Sequence, residues 1–187
     1  MESKKSIRKK FFLKRKNNYY NINEKFFSPL VKIFKNRFKN KKINISLYYP
    51  SFYELNVLEI LNVNFFKKHK FLLPKISRSN TMNFFKWDKY DTLLINRYGI
   101  PEPVKSIPVI PDVVLLPLLA FDKNKNRLGY GKGYYDKYLK KYIKIHKNIV
   151  TVGIAFSFQR HHNLPVSNSD FKLHYVITEK GILKWKY

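Results

Sequence analysis

Three glycines at alternate positions, Gly129, Gly131 and Gly133, share a short segment with the cationic side chains of Arg127 and Lys132. Glycine tolerates positive φ and lets the backbone approach a ligand closely, so alternating glycines allow successive N–H groups to converge on one anion. The N-terminus of a helix predicted directly after the segment adds partial positive charge. These residue types in this order favour a phosphate-binding loop.

The spacing of this loop differs from two common nucleotide-binding fingerprints. It lacks G-x-x-x-x-G-K-[ST], and its G-x-G-x-G order lacks the third spacing of G-x-G-x-x-G. An ordinary glycine-rich turn with surface charges is the alternative explanation. The run Val113-Val114-Leu115-Leu116 upstream is typical of a strand buried on both faces. Open α/β sheets bind ligands at the carboxyl ends of such strands, which favours the phosphate-binding interpretation.

The elements that must position this loop follow from hydrophobic periodicity and from turn residues. Apolar residues at helical spacing predict helices over 4–17, 22–39, 55–68 and 134–145. Alternating or continuous apolar runs predict strands over 43–49, 71–73, 82–87, 112–116, 149–155, 176–178 and 182–185, with Pro74 closing the second. The proline-rich stretch 99–111 is predicted to be an extended connector.

Strands that alternate with helices predict an α/β fold, namely a three-layer α/β/α arrangement with a mainly parallel sheet. A chain of 187 residues has the length of one domain. We therefore expect residues 1–187 to form a single domain, with a basic helical pair over residues 1–42 packed on it.

The chain carries 38 Lys and Arg residues against 12 Asp and Glu residues, a formal net charge of +26. Residues 1–42 alone hold 15 basic and 2 acidic residues. Lysine outnumbers arginine 31 to 7, and lysine is a solvated point charge whereas readout of base edges favours arginine. We favour a lysine-rich solvated surface over a nucleic-acid footprint, although the charge alone leaves both open.

Several classes are excluded by composition. Cysteine is absent, which removes disulfides, thiolate nucleophiles and cysteine-based zinc sites. No apolar run approaches the roughly 18 residues that a membrane-spanning helix needs. The apolar stretch Phe11–Leu13 is too short for the core of a signal peptide, so we expect a cytoplasmic protein.

The segment Arg127–Leu139, RLGYGKGYYDKYL, with Ala120-Phe121-Asp122 before it, resembles the signature of the 5-formyltetrahydrofolate cyclo-ligase family, also called 5,10-methenyltetrahydrofolate synthetases. The resemblance extends in order along nearly the whole chain, through Lys4 with Arg8 and Arg15, Tyr49-Pro50 with Glu54, Gly99–Pro103, Gly153-Ile154-Ala155 and Val176-Ile177-Thr178. It implies a three-layer α/β fold like that of the sugar-phosphate isomerase and CoA-transferase group.

The resemblance also implies an activity. Members cyclise 5-formyltetrahydrofolate to 5,10-methenyltetrahydrofolate with ATP and magnesium, releasing ADP and phosphate through a phosphorylated formyl (imidate) intermediate. The implied partners are ATP and 5-formyltetrahydrofolate, with or without a polyglutamate tail that the basic surface would attract. We expect no specific nucleic acid, no membrane and a monomer.

The family match carries roles to particular positions. Lys132 and Arg127 are the implied catalytic residues, compensating charge on the γ-phosphate. Glu54 is the implied folate-binding carboxylate, with Tyr49 and Tyr98 beside the ring. Asp136 and Asp122 are the implied magnesium ligands. The implied ATP-binding residues are Lys4, Arg8, Arg127, Leu128, Gly129, Tyr130, Gly131, Lys132, Gly133, Tyr134 and Tyr135.

Each role has a plainer alternative. Without the match, Lys4 and Arg8 are exposed charges on a basic helix, and Asp136 is a carboxylate that stabilises a helix N-terminus. For the whole chain, the alternative is a basic RNA-binding or ribosome-associated protein that uses residues 1–42. That hypothesis leaves the sequence RLGYGKGYYD unexplained. His174 replaces an aspartate common in the family, so no role is assigned to its segment.

Overall fold

A seven-stranded mixed sheet organises the computed structural model, which describes residues 2–39, 41–168 and 170–183. Its helices are α1 (Lys4–Asn17), α2 (Ser28–Phe38) and α3 (Tyr134–Ile145). Its strands are β1 (Asn44–Ser46), β2 (Lys70–Ile76), β3 (Met82–Lys86), β4 (Leu93–Ile95), β5 (Pro101–Pro103), β6 (Val113–Pro117), β7 (Ala120–Phe121), β8 (Arg127–Leu128), β9 (Val150–Ile154), β10 (Tyr175–Thr178) and β11 (Gly181–Ile182).

The sheet runs β11-β10-β9-β6-β1-β2-β3, and the five central strands are parallel. From β1 the chain moves to β2 on one side, whereas from β6 it moves to β9 on the other. The first crossover lies on one face of the sheet and the second, through α3, on the opposite face. This reversal opens a crevice at the carboxyl ends of β1 and β6, where doubly wound sheets bind ligands.

Strand β6 shows why the sheet needs cover on both faces. Its residues alternate strictly: Val113 and Leu115 pack into the cluster with α2, while Val114 and Leu116 pack into the cluster with α3. All four side chains are fully buried. The predicted three-layer α/β architecture with a mainly parallel sheet is therefore confirmed.

Helix α1 packs away from both sheet faces. The Ser3 hydroxyl caps it by accepting from the Ser6 N–H at 3.2 Å, and Ile7, Phe11 and Arg15 form a buried stripe at four-residue spacing. The two apolar members of the stripe join a small cluster with the β7–β8 hairpin. Helix α1 thus lies beside the carboxyl ends of the central strands.

Two predicted helices differ from the observed ones. Residues 55–68 form two 3-10 segments, Val57–Asn62 and Asn64–Phe66. The Asn56 side chain accepts from the Leu58 N–H at 3.2 Å, which offers the backbone an alternative to the α-helical pattern. Residues 22–39 divide into a 3-10 turn and α2, because Pro29 suits only the first turn of a helix.

Some observed strands also differ from the predicted ones. Strand β2 continues through Pro74 because its pairing with β1 ends at Leu72, so the missing N–H removes no bond there. The predicted connector contains β5, which pairs with the unpredicted β4. The β7–β8 hairpin was also not predicted. In the predicted strand 182–185, Ile182 pairs in β11, and residues 184–187 lie outside the described residues.

His69 is buried beside Phe34 and Phe66. Burial lowers its pKa to about 4, and nearby lysines add to the effect, so it packs as a neutral ring. Across the described residues, the helices are too short or too polar to cross a membrane.

Candidate active site

A cavity of about 830 Å³ opens at the carboxyl edge of the sheet, at the crevice between β1 and β6. Residues after β1, at the end of β2 and at the end of β6 form its base, while α1 and the glycine-rich loop form one wall. Its size suits a ligand of nucleotide or folate dimensions. Asp122 is absent from its lining, which contains the other predicted site residues, namely Lys4, Arg8, Tyr49, Glu54, Tyr98, Arg127, Leu128, Gly129, Tyr130, Gly131, Lys132, Gly133, Tyr134, Tyr135 and Asp136.

The glycine-rich loop is held against α1 by Arg8. The Arg8 Nε donates to the Gly129 carbonyl at 2.9 Å. Gly131 has φ +94°, and a Cβ at that position would lie 3.0 Å from the Arg8 Cζ. Only glycine therefore combines this backbone conformation with so close an arginine.

Helix α3 begins directly after the loop with Gly133, whose φ is +70°, as its N-cap. No side-chain hydrogen bond caps this end among the described residues. The first N–H groups of a helix have no intrahelical acceptor, so they and the helix dipole present partial positive charge to the cavity. Tyr134 and Tyr135 in the first turn line the cavity.

Arg127 is held by Asp136 at the base of the loop. Its Nη2 donates to Asp136 Oδ1 at 2.7 Å, with the two side chains 5% and 21% exposed. The Arg127 Nε is buried and has no hydrogen-bond partner within the described part of the chain. A buried unsatisfied donor costs about 1–3 kcal/mol, which an anionic ligand in the cavity would offset.

Lys4, at the start of α1, forms an ion pair with Asp170. The Asp170 Oδ2 also accepts from the Ser167 N–H at 2.8 Å. This segment connects with the loop again through Phe171, whose N–H donates to Asp136 Oδ1 at 3.2 Å. Lys4, Arg8 and Arg127 thus surround the side of the cavity that the glycine-rich loop forms, together with the carboxylates of Asp136 and Asp170.

The residues present fit a magnesium ion held mainly by phosphate. No group of three or more His, Cys, Asp or Glu residues that could hold a metal occurs in the described ranges. Magnesium usually takes only one or two protein carboxylates beside substrate phosphates and water. Asp136 meets that requirement. Its Oδ1 accepts hydrogen bonds from Arg127 and Phe171, whereas its Oδ2 accepts none from the described residues and is available to a metal ion.

Asp122, the other predicted magnesium ligand, has a structural role and lies outside the cavity. It is fully buried, and its Oδ1 accepts from the N–H groups of Asn124 and Asn126 at 2.8 and 3.0 Å. Its Oδ2 accepts from Asn126 Nδ2 at 2.9 Å and from the Leu164 N–H at 3.0 Å. These four bonds hold the β7–β8 turn, so the geometry gives no support to Asp122 as a ligand.

A tight turn with an unusual backbone forms the opposite side of the cavity. Phe52 and Tyr53 have φ +49° and +62°, and the Glu54 N–H donates to the Ser51 carbonyl at 2.9 Å. Two consecutive non-glycine residues at positive φ cost on the order of 1–3 kcal/mol each. Such a conformation persists only where the surroundings hold it, and such sites cluster where ligands bind.

Glu54 ends this turn as a buried carboxyl group, 6% exposed, that lines the cavity. Burial raises its pKa from 4.5 to about 7. Hydrogen bonds from Ser51, whose N–H donates to Oε2 at 3.0 Å, and the charge of nearby Arg15 oppose that rise. The group therefore changes ionisation near neutral pH, in the range useful for binding a weakly basic heterocycle.

Tyr98 is fixed by an asparagine that sequence reasoning did not single out. The Asn96 Oδ1 accepts from the Tyr98 N–H at 2.8 Å and its Nδ2 donates to Glu102 Oε1 at 2.7 Å. The hydroxyls of Tyr98 and Tyr134 hydrogen-bond at 2.8 Å, which lowers the pKa of Tyr98. This bond joins the predicted folate side to the first turn of α3.

Sequence reasoning gave no role in the site to Asn96, Glu102, Asp170 or Arg15. The first three line the cavity, and Arg15 contacts two residues that line it, Phe52 and Tyr130. Arg15 matches the N-terminal segment of the family, but nothing in the sequence shows that its side chain is buried. For Glu102 the signal was available, since it lies within Gly99–Pro103, a segment already matched to the family.

Fold and site together define an α/β protein with a cavity at the carboxyl edge of its sheet and a glycine-rich loop whose geometry suits an anion. Comparison with known proteins is more specific. Residues 1–179 match the 5-formyltetrahydrofolate cyclo-ligase family, and the chain belongs to that family.

Individual relatives agree with this membership. A protein of Schizosaccharomyces pombe described as a probable 5-formyltetrahydrofolate cyclo-ligase is 30% identical over 140 residues, covering 67% of this chain and 69% of the relative. A 5-formyltetrahydrofolate cyclo-ligase of Haemophilus influenzae is 32% identical over 138 residues, covering 70% and 72% of the two chains.

Solved structures extend the likeness to the whole fold. The 5,10-methenyltetrahydrofolate synthetase of Aquifex aeolicus superposes with a TM-score of 0.74 at 28% identity, covering 98% of this chain and 93% of that one. The 5,10-methenyltetrahydrofolate synthetase of Mycoplasma pneumoniae gives a TM-score of 0.70 at 25% identity, covering 95% and 99%.

Proposed function

We propose that this chain cyclises 5-formyltetrahydrofolate to 5,10-methenyltetrahydrofolate, using ATP and magnesium and releasing ADP and phosphate. Family membership supports the cyclo-ligase activity itself. The observation that carries the finer proposal is one cavity with two unlike sides. A glycine-rich loop with Arg8, Arg127 and Lys132 forms one side, and the buried Glu54 with Tyr49 and Tyr98 forms the other.

The proposed reaction has two steps. First, the formyl oxygen attacks the γ-phosphorus of ATP, and the bond from that phosphorus to the bridging oxygen of ADP breaks. Second, N-10 of the folate attacks the activated formyl carbon, the carbon–oxygen bond breaks, and the oxygen leaves with phosphate. The proton that N-10 loses balances the released phosphate as hydrogen phosphate. No side-chain nucleophile is required, so the protein acts by positioning and by charge stabilisation.

Lys132 is well placed for the first step. Its Nζ lies 5.7 Å from the centre of the Tyr98 ring, at the junction between the nucleotide and folate sides. Its side chain is exposed at the mouth of the cavity, so its ammonium group can follow the γ-phosphate as negative charge shifts during transfer. Arg127, fixed by Asp136, supplies a second and immobile positive charge.

Glu54 is proposed to hold the pterin-type ring. Its ionised carboxylate can accept two N–H bonds from such a ring, and the exclusion of water around it strengthens those bonds. Tyr49 and Tyr98 line the same side of the cavity. This arrangement directs the formyl group toward Lys132 and the glycine-rich loop.

Magnesium, when bound, would neutralise charge on the β- and γ-phosphate oxygens during transfer. We propose Asp136 as its protein ligand, directly or through water. Arg127 keeps the Asp136 carboxylate oriented toward the loop through the 2.7 Å hydrogen bond to Oδ1.

An isotope experiment tests the proposed intermediate. 5-Formyltetrahydrofolate labelled with heavy oxygen in the formyl group is converted with ATP and magnesium, and the released phosphate is examined by mass spectrometry. Attack by the formyl oxygen predicts one labelled oxygen in each phosphate. Label that appears only in water would contradict the phosphorylated intermediate, while omission of ATP or magnesium should stop product formation.

A further inference from the structure

Arg15 is the largest charged group that the fold buries outside the positions assigned to substrates. It is 1% exposed, on the last turn of α1, and within the described ranges it forms no salt bridge with a carboxylate. Burying a guanidinium costs several kcal/mol unless hydrogen bonds and nearby charge offset it. Because burial of this charge is unfavourable, we looked to its hydrogen bonds for a role other than packing.

Its hydrogen bonds join three separate segments. The Arg15 Nη2 donates to the Phe52 carbonyl at 2.7 Å, within the strained turn before Glu54. The same nitrogen also donates to the Tyr130 hydroxyl, in the middle of the glycine-rich loop. The Nη1 donates to the Leu118 carbonyl at 3.2 Å, just after β6.

These contacts lie where the two sides of the cavity meet. The ring centroids of Phe52 and Tyr130 lie 6.0 Å apart, and the Arg15 Cζ lies 5.5 Å from the centre of the Tyr130 ring. Phe52 has positive φ and needs support from its surroundings. The loop around Tyr130 contains flexible glycines, so it too depends on external contacts.

We propose that Arg15 is a positioning residue that couples the two halves of the cavity, so that a ligand on the nucleotide side raises the affinity for a ligand on the folate side. The inference rests on the proposed function. Ordering of the loop by nucleotide fixes the Tyr130 hydroxyl, and the guanidinium then holds the turn in its binding conformation without further entropic cost. By linkage the effect is reciprocal.

Titration calorimetry tests this coupling in the full-length protein. The dissociation constant of a non-hydrolysable ATP analogue with magnesium is measured with and without saturating 5-formyltetrahydrofolate. In the wild type we expect the folate to tighten nucleotide binding by at least about fivefold, within the usual range of coupling between sites. Ligands that bind with no mutual effect would overturn the proposal.

Arg15→Lys separates the effect of the Arg15 hydrogen bonds from the effect of its positive charge. Lysine retains a positive charge, but its single ammonium lacks the planar fork that reaches two acceptors in a fixed geometry. We expect coupling to fall below about twofold. Tyr130→Phe removes the hydroxyl that accepts from Arg15 and also hydrogen-bonds Glu54. It should lower the coupling equally, while the double variant should lower it no further. Additive losses of coupling, or wild-type coupling in either folded single variant, would contradict coupling through the contact between Arg15 and Tyr130.

The pH dependence of folate binding gives a second readout. The groups that face Glu54 are Arg15 from α1, Tyr48 after β1, Tyr130 from the loop and Tyr135 from α3, in addition to Ser51 of its own turn. Arg15→Met removes the positive charge that lowers the pKa of Glu54, so the midpoint of folate binding should move to higher pH. Arg15→Lys should leave the midpoint near its wild-type value.

A matched control is Lys16→Met, which removes one charge from an exposed neighbour on the same helix. It should preserve both the coupling and the pH midpoint. Circular dichroism confirms that each variant is folded, and Tyr130→Phe, which leaves the arginine in place, keeps the test decisive if Arg15→Met unfolds. Failure of both ligands to bind the wild type would refute the proposed function, whereas independent binding of both would refute only the coupling.

Discussion

Glu54 shows how one residue can be costly for the fold and useful for the site. It is buried, and it follows two residues in the left-handed region. Burial raises its pKa to about 7, so the native protein holds the proton more tightly than the unfolded chain does. Ionisation of Glu54 therefore lowers the free energy of unfolding, but it also places a carboxylate within the cavity.

The first prediction concerns Glu54→Gln and the pH dependence of stability. Because the native pKa is raised, the contribution of Glu54 is fully present below pH 4.5 and is lost as the pH rises to about 7. Relative to the wild type, the glutamine variant should gain up to about 3 kcal/mol of unfolding free energy over that interval. Denaturant titrations of both proteins at several pH values measure the difference. A constant difference would contradict the raised pKa.

The second prediction concerns Lys132→Ala. Loss of a charge that acts mainly on the transferring phosphate should lower kcat by about 100-fold or more. The side chain is exposed, so unfolding free energy should change by no more than about 0.5 kcal/mol. Lys123→Ala, in the exposed turn of the β7–β8 hairpin, is the matched control. Equal rates for both variants in a steady-state assay would remove the role assigned to Lys132.

Sequence reasoning identified most of the site at this scale because its residues are grouped in one motif. Arg127 to Asp136 form a continuous segment whose glycines and charges suggest their own chemistry. Arg15 matches the N-terminal segment of the family, but its role could not be found in the same way. Its acceptors are Phe52, Leu118 and Tyr130, between 37 and 115 positions away in sequence, so its role exists only in the folded chain.

Two elements, α1 and the glycine-rich loop, together form the side of the cavity that we propose binds nucleotide. Lys4, Arg8 and Arg15 lie along α1 at spacings of four and seven residues, which places them on neighbouring turns of one face. Arg8 and Arg15 each bind the loop, at Gly129 and Tyr130. The helix therefore fixes the shape of the loop as well as supplying charge to the cavity.

The third prediction tests this contact through Gly131→Ala. The alanine would have to adopt the positive φ of Gly131, and its methyl group would lie 3.0 Å from the Arg8 Cζ. The guanidinium must therefore shift, which disturbs its hydrogen bond to the Gly129 carbonyl. Nucleotide affinity should fall by about 10-fold or more, corresponding to the loss of one charge-assisted hydrogen bond.

Gly181→Ala is the control for backbone strain alone. Its φ is +96°, and a Cβ at this position of the β10–β11 turn would contact no neighbouring atom among the described residues. Both variants should lose stability of about 1 kcal/mol in thermal unfolding, but only the loop variant should lose nucleotide affinity in calorimetry. Equal affinity in the two would show that Arg8 does not support the loop.

Elements with regular periodicity were predicted well. The bounds of α1 and α3 agree with the prediction, because their apolar residues repeat at helical spacing and their ends carry clear signals. The prediction of a single α-helix over 55–68 was wrong. The segment forms 3-10 turns, because the Asn56 side chain accepts a hydrogen bond from the nearby Leu58 N–H. The β7–β8 hairpin was missed because it has only two residues in each strand and depends on the buried Asp122 for its turn.

At the scale of the whole molecule, the net charge of +26 divides into two kinds of residue. A few cations, including Lys4, Arg8, Arg127 and Lys132, face the cavity. Many others are exposed lysines, such as Lys5, Lys9 and Lys16 on the outer face of α1. The distribution of charge along the sequence could suggest this division, but only packing shows which face of α1 is turned inward.

The fourth prediction follows from this division. Replacement of Lys5, Lys9 and Lys16 together by glutamine should change kcat/KM with the monoglutamate substrate by less than about twofold, because exposed charges at this distance are screened by salt. The rate is measured at physiological ionic strength. A large loss would show that the outer face of α1 takes part in substrate binding.

The central claim is most directly tested by following the near-ultraviolet absorbance of methenyltetrahydrofolate. Purified protein is mixed with 5-formyltetrahydrofolate, ATP and magnesium, and ADP is measured in parallel. The account predicts that absorbance rises only when all components are present, with one ADP formed for each product molecule. No rise in absorbance with folded protein that binds both substrates would contradict it.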